Sequence, residues 1–399
     1  MSDSGDANRH HDGSDGGTGG TGGRDGGPAA GPGAPTSPGG GNGIRGAVLG
    51  RAPAVLSVLD LVTVGSGNTA SDALATSVAI ARLAEARGFH RHWVAEHHSM
   101  PAVVSSSPAV ILAYLAAHTS RIRLGSGGVM LPNHAPLVVA EQFGILEAAA
   151  PGRVDLGLGR APGTDGRTAA ALRGPGRLDE GADDFPRRLA ELTAFLDDDF
   201  PDGHPYARVH AVPGPVQGPT ARPSLWLLGS SGYSAQMAGE LGLPFAYAHH
   251  FSAAGTVPAL DLYRRSFRPS AVLDAPYSII GVAAVAADTH EEARTQVLTG
   301  ALYMMMVQTG RAGLVPTPAE ARAFPFSGPG QREFVESRLA DTVYGTPDEV
   351  TKGLDALAGL TGADELMLTA NIHGNAARLR SYELVADAYG LPGPAPAAG

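Results

Sequence analysis

Pairs of histidines follow two short apolar runs of this sequence, and one pair has a glutamate directly before it. The first group is Glu96-His97-His98 and the second is His249-His250. Imidazole and carboxylate groups exchange protons near neutral pH, so the first group is a candidate for acid–base chemistry. A divalent metal held by one histidine from each pair is an alternative, because adjacent side chains of an extended chain point in opposite directions. The chain has no HExxH pattern, and we predict no metal site.

A turn rich in glycine and serine follows another apolar run and precedes a predicted helix. Its residues are Gly229-Ser230-Ser231-Gly232-Tyr233. Small residues let the backbone approach an anion, and the first N–H groups of a helix are free to bind one. Arg160 follows the preceding apolar run and can add a bidentate contact to a phosphate. The other interpretation is a tight turn in which a serine caps the helix, and the spacing alone leaves both open.

Two adjacent glycines, Gly127 and Gly128, lie at the end of a further apolar run. Without a Cβ atom, the backbone there can approach a flat ligand closely, although glycines also serve as plain loop formers. No GxGxxG fingerprint follows a predicted strand, and the GxxxxGKS/T and GxSxG motifs are absent. These observations argue against a Rossmann dinucleotide site, a P-loop and an α/β-hydrolase.

The composition excludes several further classes of protein. The chain of 399 residues has a formal net charge of −10, which opposes binding to nucleic acid or to an anionic membrane. It has no cysteine, which removes thiol nucleophiles and disulfides. Its single lysine, Lys352, lies at the predicted exposed start of a helix, so a Schiff-base or PLP enzyme is not expected. No apolar run is long enough to span a membrane and no secretory signal is recognised, so we expect a cytoplasmic protein.

The elements that must position these residues alternate along the chain. The predicted strands are 54–62, 92–95, 122–126, 154–158, 225–228, 245–248, 278–286 and 364–368. The predicted helices between and after them are 71–87, 108–117, 137–149, 185–196, 234–241, 257–267, 290–308 and 376–389. Alternation of this kind implies parallel strands with right-handed crossovers. Eight repeats favour an α/β fold of the closed (β/α)8 TIM-barrel type, and an open doubly wound sheet is the alternative.

Two segments do not fit the repeat. Residues 1–43 are glycine-rich and almost without apolar side chains, so we predict a disordered N-terminal tail in front of a barrel domain at about 54–390. Residues 311–333, before strand eight, are rich in proline, glycine and phenylalanine. Such a long irregular insertion is either a lid over the site or a decoration.

Four linked motifs, which span about residues 56–389, resemble the bacterial-luciferase family of flavin monooxygenases. They are Trp93-Val94-Ala95-Glu96-His97-His98, Leu124-Gly125-Ser126-Gly127-Gly128-Val129-Met130-Leu131-Pro132, Pro151-Gly152-Arg153-Val154-Asp155-Leu156-Gly157-Leu158-Gly159-Arg160, and Leu227-Leu228-Gly229-Ser230-Ser231 with Ala238-Gly239-Glu240-Leu241-Gly242-Leu243-Pro244. The resemblance implies a TIM barrel that binds FMN, or in a related branch the deazaflavin F420, at its mouth.

The resemblance also implies roles for individual residues. His97 resembles the family's catalytic histidine, and Gly127-Gly128 matches a pair joined by a cis peptide against the flavin ring. Arg160, Ser230 and Tyr233 match positions that hold the flavin phosphate, although Tyr233 departs from the small hydroxyl residue of luciferase. The predicted cofactor-binding set is Gly127, Gly128, Arg160, Gly229, Ser230, Ser231 and Tyr233. Gly159 replaces the reactive cysteine of luciferase, so light emission is not implied.

We therefore expect a monooxygenase that uses reduced FMN, supplied by a separate flavin reductase, and O2 to oxygenate a small organic substrate. The family also implies that a homodimer is common. Three alternatives stay open: an F420-dependent oxidoreductase that transfers hydride, a flavin-binding protein without catalysis, and a metal-dependent barrel hydrolase.

Overall fold

The computed structural model describes residues 43–174, 184–218 and 221–393. The predicted tail therefore lies, except for Gly43, outside the described residues. No helix within these ranges is both long enough and apolar enough to span a membrane.

Eight parallel strands form a closed barrel, and a ninth strand pairs outside it. The strands are β1 (Val55–Asp60), β2 (Arg91–Val94), β3 (Arg123–Met130), β4 (Val154–Gly159), β5 (Ser224–Gly229), β6 (Phe245–Tyr247), β7 (Ser278–Ala286), β8 (Val343–Gly345) and β9 (Glu365–Thr369). β1 to β7 pair in sequence order, and β9 closes the barrel by pairing with both β7 and β1. Among the described residues, β8 pairs only with the end of β7. The predicted TIM barrel is confirmed, with β9 as its eighth strand, and the open-sheet alternative is wrong.

Helices cover the outside of the barrel. They are α1 (Ala70–Arg87), α2 (Pro108–Ala116), α3 (Pro136–Ala149), α4 (Gly166–Arg173), α5 (Phe185–Asp197), α6 (Gly232–Glu240), α7 (Thr256–Ser266), α8 (His290–Gln308), α9 (Pro318–Arg322), α10 (Pro329–Ala340), α11 (Pro347–Thr361) and α12 (Asn375–Tyr389). Local sequence sets several of the ends. Thr69 and Asp72 form a capping box at the start of α1, and Gly88 ends that helix with φ of 76°.

The segment 311–333 is more regular than its composition indicates. It contains α9 and the first turns of α10, and neither helix was predicted. Thr317 and Glu320 form a capping box that starts α9. Val315 is fully buried and is paired with Gly65 in an isolated β-bridge. The segment is therefore anchored to the loop after β1, and its role as a lid stays a prediction.

The amino end of the barrel is filled by paired charges. Arg91 donates to Asp155 at 2.7 Å and to Glu365 at 2.8 Å, and Arg123 donates to Asp155 at 2.6 Å. Burial alone would raise the pKa of Asp155, but the two guanidinium groups hold it below its usual value. Two cations and two anions balance one another, which makes their burial tolerable. This layer closes the barrel from below.

Two tryptophans form the next layer toward the carboxyl end. Trp93 and Trp226 are buried and pack edge to face, with ring centroids 5.2 Å apart. A Cβ atom on Gly125 would lie 2.5 Å from Nε1 of Trp93, so this position requires glycine. The two indoles lie between the charged layer and the carboxyl ends of the strands.

Candidate functional site

A cavity of about 360 Å³, here called the main cavity, lies at the carboxyl ends of the strands. Active sites of TIM barrels lie at this end, because the βα loops converge there. Of the eight residues predicted for catalysis or cofactor binding, six line it, namely His97, Gly127, Arg160, Gly229, Ser230 and Ser231. Gly128 and Tyr233 do not line it but adjoin residues that do.

His97 is held by the loops around it. Its backbone N–H donates to the carbonyl oxygen of Ser105 at 2.9 Å, and its Nδ1 lies 3.2 Å from the carbonyl oxygen of Gly163. Burial lowers the pKa of His97 below its usual value. The imidazole is therefore neutral at pH 7, and a neutral ring that donates through Nδ1 keeps Nε2 as an acceptor.

Glu96 links two loops beneath the mouth. Its buried carboxylate accepts from Nε2 of His98 and of His134, each at 2.9 Å, and from the N–H of Met130 at 3.1 Å. Burial raises the pKa of Glu96, but the histidines and the Met130 N–H outweigh it and leave the pKa below its usual value. Sequence reasoning did not identify the partnership with His134. The available signal was that both residues follow adjacent parallel strands, whose ends meet.

The Gly127–Gly128 peptide bond is cis, as the resemblance implies. A Cβ atom on Gly127 would lie 2.8 Å from Cδ1 of Leu59, and one on Gly128 would lie 2.8 Å from the carbonyl oxygen of Gly157. Neither position has room for a side chain. Gly127 thus presents bare backbone to the main cavity, while Gly128 packs against β4.

Arg160 and Tyr233 form a stacked pair at the rim. The Arg160 guanidinium carbon lies 4.2 Å from the centroid of the Tyr233 ring, which is consistent with a cation–π contact. Tyr233 belongs to the first turn of α6. Ser231 occupies the N-cap position, but its side chain makes no capping hydrogen bond. The structure thus has a serine at the N-cap position, as the second interpretation of this turn predicts, but the side-chain hydrogen bond of a cap is not formed.

The second histidine pair is divided between two environments. His250 lines the main cavity, and its Nδ1 lies 2.9 Å from the carbonyl oxygen of Gly281. Nδ1 of His249 instead lies 2.7 Å from Oγ1 of Thr256. Within the ranges that the structure describes, no group of three or more His, Asp or Glu side chains is arranged to hold a metal ion.

Comparison with known proteins identifies the family of this chain. Residues 55–365 match the model of the luciferase-like monooxygenases. The chain is 46% identical to YvbT of Bacillus subtilis over 340 residues, which cover 85% of this chain and 98% of that protein. It is 43% identical to a luciferase-like monooxygenase of Escherichia coli over 331 residues, 83% and 96% of the two chains. It is 35% identical to the N-acetyl-S-alkylcysteine monooxygenase of Bacillus subtilis over 334 residues, 84% and 97% of the two.

Solved structures share the fold. Apo-MsnO8 superposes with a TM-score of 0.74 at 38% identity, over 85% of this chain and 98% of that one. The oxygenating constituent of 3,6-diketocamphane monooxygenase from Pseudomonas putida, in complex with FMN, has a TM-score of 0.61 at 17% identity, over 85% and 97%. An F420-dependent secondary alcohol dehydrogenase has a TM-score of 0.59 at 15% identity, over 84% and 99%. By its family match and the identity to these relatives, the chain belongs to the luciferase-like monooxygenase family.

Proposed function

We propose that the chain is a flavin-dependent monooxygenase that uses reduced FMN and O2 to oxygenate a small organic substrate. One observation carries the proposal beyond family membership. His97, the Gly127 backbone, Arg160 and the Ser230-Ser231 turn all line one cavity at the carboxyl end of the barrel. A proton-handling group, a bare backbone wall and an anion-binding turn are the parts that a flavin site needs.

The turn between β5 and α6 fits a phosphate group. Ser231 does not cap α6 through its side chain, so the first N–H groups of this nine-residue helix have no acceptor from it. The positive end of the helix dipole favours an anion at this place. Arg160 lines the same cavity, and its guanidinium packs on the ring of Tyr233. We propose that Arg160, Ser230 and Ser231 hold the phosphate of FMN.

The apolar part of the main cavity fits a flat ring system. Its lining includes the apolar side chains of Leu59, Leu61 and Ala95 beside the backbone of Gly127. Trp93 lies directly beneath, since a Cβ atom on Gly127 would be 3.2 Å from Cε3 of its indole. An apolar wall of this kind suits an aromatic cofactor. Reduced FMN bound there would supply the two electrons for the reduction of O2.

His97 is the group that we propose holds a proton during the reaction. Its Nδ1 donates to Gly163, so the neutral ring offers Nε2 as the atom that accepts or returns a proton. His97→Ala should therefore leave FMN binding intact and remove oxygen transfer. The reduced flavin is proposed to come from a separate reductase, since no GxGxxG fingerprint follows any strand in the part of the chain that the structure describes.

The relatives suggest where to begin with substrates. The relative named N-acetyl-S-alkylcysteine monooxygenase is 35% identical, which makes thioethers the first class to screen. A cytoplasmic location and a homodimer are further proposals that rest on the family resemblance.

The decisive experiment is an anaerobic titration with reduced FMN, and separately with reduced F420, followed by admission of air in the presence of a panel of thioethers as oxygen acceptors. The only two tryptophans of the chain lie beneath the main cavity, so their fluorescence reports binding there. We compare the wild type with His97→Ala and with the control His118→Ala, because His118 does not line the cavity.

Binding of reduced FMN, with oxygen transfer that His97→Ala alone removes, supports the proposal. Binding of F420 only would replace it with hydride transfer. Binding of FMN without any oxygen transfer would make the chain a flavin-binding protein. Binding of neither cofactor would overturn the flavin proposal altogether.

A further inference from the structure

A second cavity of about 80 Å³ lies beside the main cavity at the carboxyl end of the barrel. We call it the small chamber. It is bounded by β7, α8, α10 and the end of β9, whereas the main cavity lies over β1 to β6. His250 and Phe251 line both spaces, so the two are neighbours. Phe251 is 49% exposed, which leaves an apolar ring at the shared rim.

One side of the small chamber is apolar and tightly built. Its apolar lining residues are Ala283, Val285, Val297, Ala301, Met304 and Ile372. Gly300 also lines it, and a Cβ atom on this residue would lie only 2.0 Å from the carbonyl oxygen of Asn371. α8 can therefore approach the end of β9 this closely only with glycine at this position. A side chain at position 300 therefore has no room between α8 and the end of β9.

The other side is polar but electrically balanced. Arg338 and Asp341 form an ion pair, and Nη1 of Arg338 donates to the carbonyl oxygen of His250 at 3.3 Å. Thr369 and Asn371 add neutral polar groups. Because the guanidinium already has a carboxylate partner, an ionic guest would enter without a free counter-charge. Burying such a charge is costly, so the lining favours a neutral guest.

His250 places a hydrogen-bond acceptor between the two spaces. Its Nδ1 lies 2.9 Å from the carbonyl oxygen of Gly281, which can only accept. Burial lowers the pKa of His250 to about 4, so the ring is neutral at pH 7 and keeps Nε2 as an acceptor. A Cβ atom on Gly281 would lie 2.8 Å from Nδ1 of His250. Glycine at 281 is thus what lets the ring adopt this position.

The volume of the small chamber limits the size of the group that it can bind. A cavity of about 150 Å³ holds benzene, or about 25 Å³ per carbon. By that measure 80 Å³ holds about three carbons. We propose that the small chamber receives the short, neutral, apolar end of the substrate, about three carbons long, next to a hydrogen-bond donor that contacts His250. This inference rests on the proposed function in assigning the main cavity to the flavin.

The test measures binding rather than turnover. Full-length protein labelled with [methyl-13C]methionine contains 8 methionines. Met304 lines the small chamber, whereas Met306 lies on the same helix and does not. The probes are 1-propanol, propionate and propylammonium, which share a chain length and differ in charge. We expect 1-propanol to shift the Met304 methyl signal saturably, to leave Met306 unchanged, and to bind at least about tenfold more tightly than either ion.

Two variants change the size of the small chamber. Ala301→Leu should fill it and abolish the 1-propanol shift, while Thr295→Leu, which enlarges a half-buried side chain of α8 away from the lining, should not. Val297→Ala should enlarge it and move the preference toward 1-butanol. This second variant keeps the test decisive if Ala301→Leu fails to fold.

A titration with reduced FMN on the same sample separates the two proposals. Saturable 1-propanol binding at Met304 without flavin binding would support the small chamber and overturn the flavin function. Flavin binding without any saturable shift at Met304 would overturn the small chamber alone. Tighter binding of propionate or propylammonium than of 1-propanol would overturn the neutral substrate class.

Discussion

Nδ1 of His97 lies 3.2 Å from the carbonyl oxygen of Gly163, across the gap between the loops that follow β2 and β4. Because a carbonyl oxygen only accepts, this contact selects the ring tautomer in which Nδ1 carries the proton. Gly163 has a φ of 65°, and a Cβ atom there would lie 2.8 Å from the carbonyl oxygen of Glu96. The tautomer of His97 therefore depends on a backbone conformation that favours glycine.

Gly163→Ala should disturb His97 and leave the proposed phosphate contacts of Arg160, Ser230 and Ser231 in place. The added Cβ strains the loop and moves the carbonyl acceptor, so we expect the oxygenation rate to fall about tenfold while FMN affinity changes little. Imidazole 15N shifts of His97 should show loss of the Nδ1–H tautomer. Gly166→Ala is the matched control, because a Cβ atom there meets nothing within 4 Å. An unchanged tautomer and rate in Gly163→Ala would contradict this account.

Arg160→Ala should weaken FMN far more than riboflavin. Loss of a charge-assisted contact to phosphate costs about 1.5–3 kcal/mol, so FMN affinity should fall roughly tenfold to a hundredfold. Riboflavin lacks the phosphate and should bind equally to both proteins. Tryptophan fluorescence titrations measure both ligands. Arg167→Ala, an exposed arginine in α4, should behave like the wild type. Equal losses for the two flavins would place the phosphate elsewhere.

Asp155→Asn should destabilise the barrel strongly. The variant leaves Arg91 and Arg123 buried without one of their carboxylates, and breaking a buried pair costs about 3–5 kcal/mol. Urea unfolding measures the change in the free energy of unfolding. Asp274→Asn is the control, since Asp274 is 95% exposed and lies 3.6 Å from Arg45. A similar small effect of both substitutions would mean that the buried network contributes little.

Stability should fall as the pH drops from about 6.5 toward 4. Burial lowers the pKa of both His92 and His250 to about 4, whereas unfolded histidine titrates near 6.5. Between these values the unfolded chain binds more protons than the folded one, so acid favours unfolding. His92→Gln should flatten this slope, measured by urea unfolding at several pH values. An equally steep slope in His92→Gln would refute the assignment.

Most of the barrel could be predicted because its strands are continuous apolar runs. They alternate with helices whose ends are marked by capping residues or by glycine. β8 was not predicted, because it has three residues and lies outside the barrel, where the alternation of strand and helix gives no indication of it. α10 also escaped because it begins with Pro-Gly, and only Val335 and Leu339 are buried along it. A short apolar stripe in a segment rich in proline and glycine does not identify a helix.

The sequence predicts which residues lie at the candidate site, but it does not predict the contacts that they make there. His97, Gly127 and Arg160 follow different strands, and the shared carboxyl edge of a parallel barrel brings them to one cavity. The contacts themselves depend on the conformations of the loops, as the hydrogen bond between Glu96 and His134 does. The roles of these residues in binding and catalysis stay predictions until the experiments above are made.

The division of the barrel mouth has an evolutionary consequence. The main cavity draws its lining from residues 59 to 251, and the small chamber draws nearly all of its own from 283 to 372. The two are consecutive along the gene rather than interleaved. A single recombination between β6 and β7 could therefore exchange the proposed substrate half as one block and leave the proposed cofactor half unaltered.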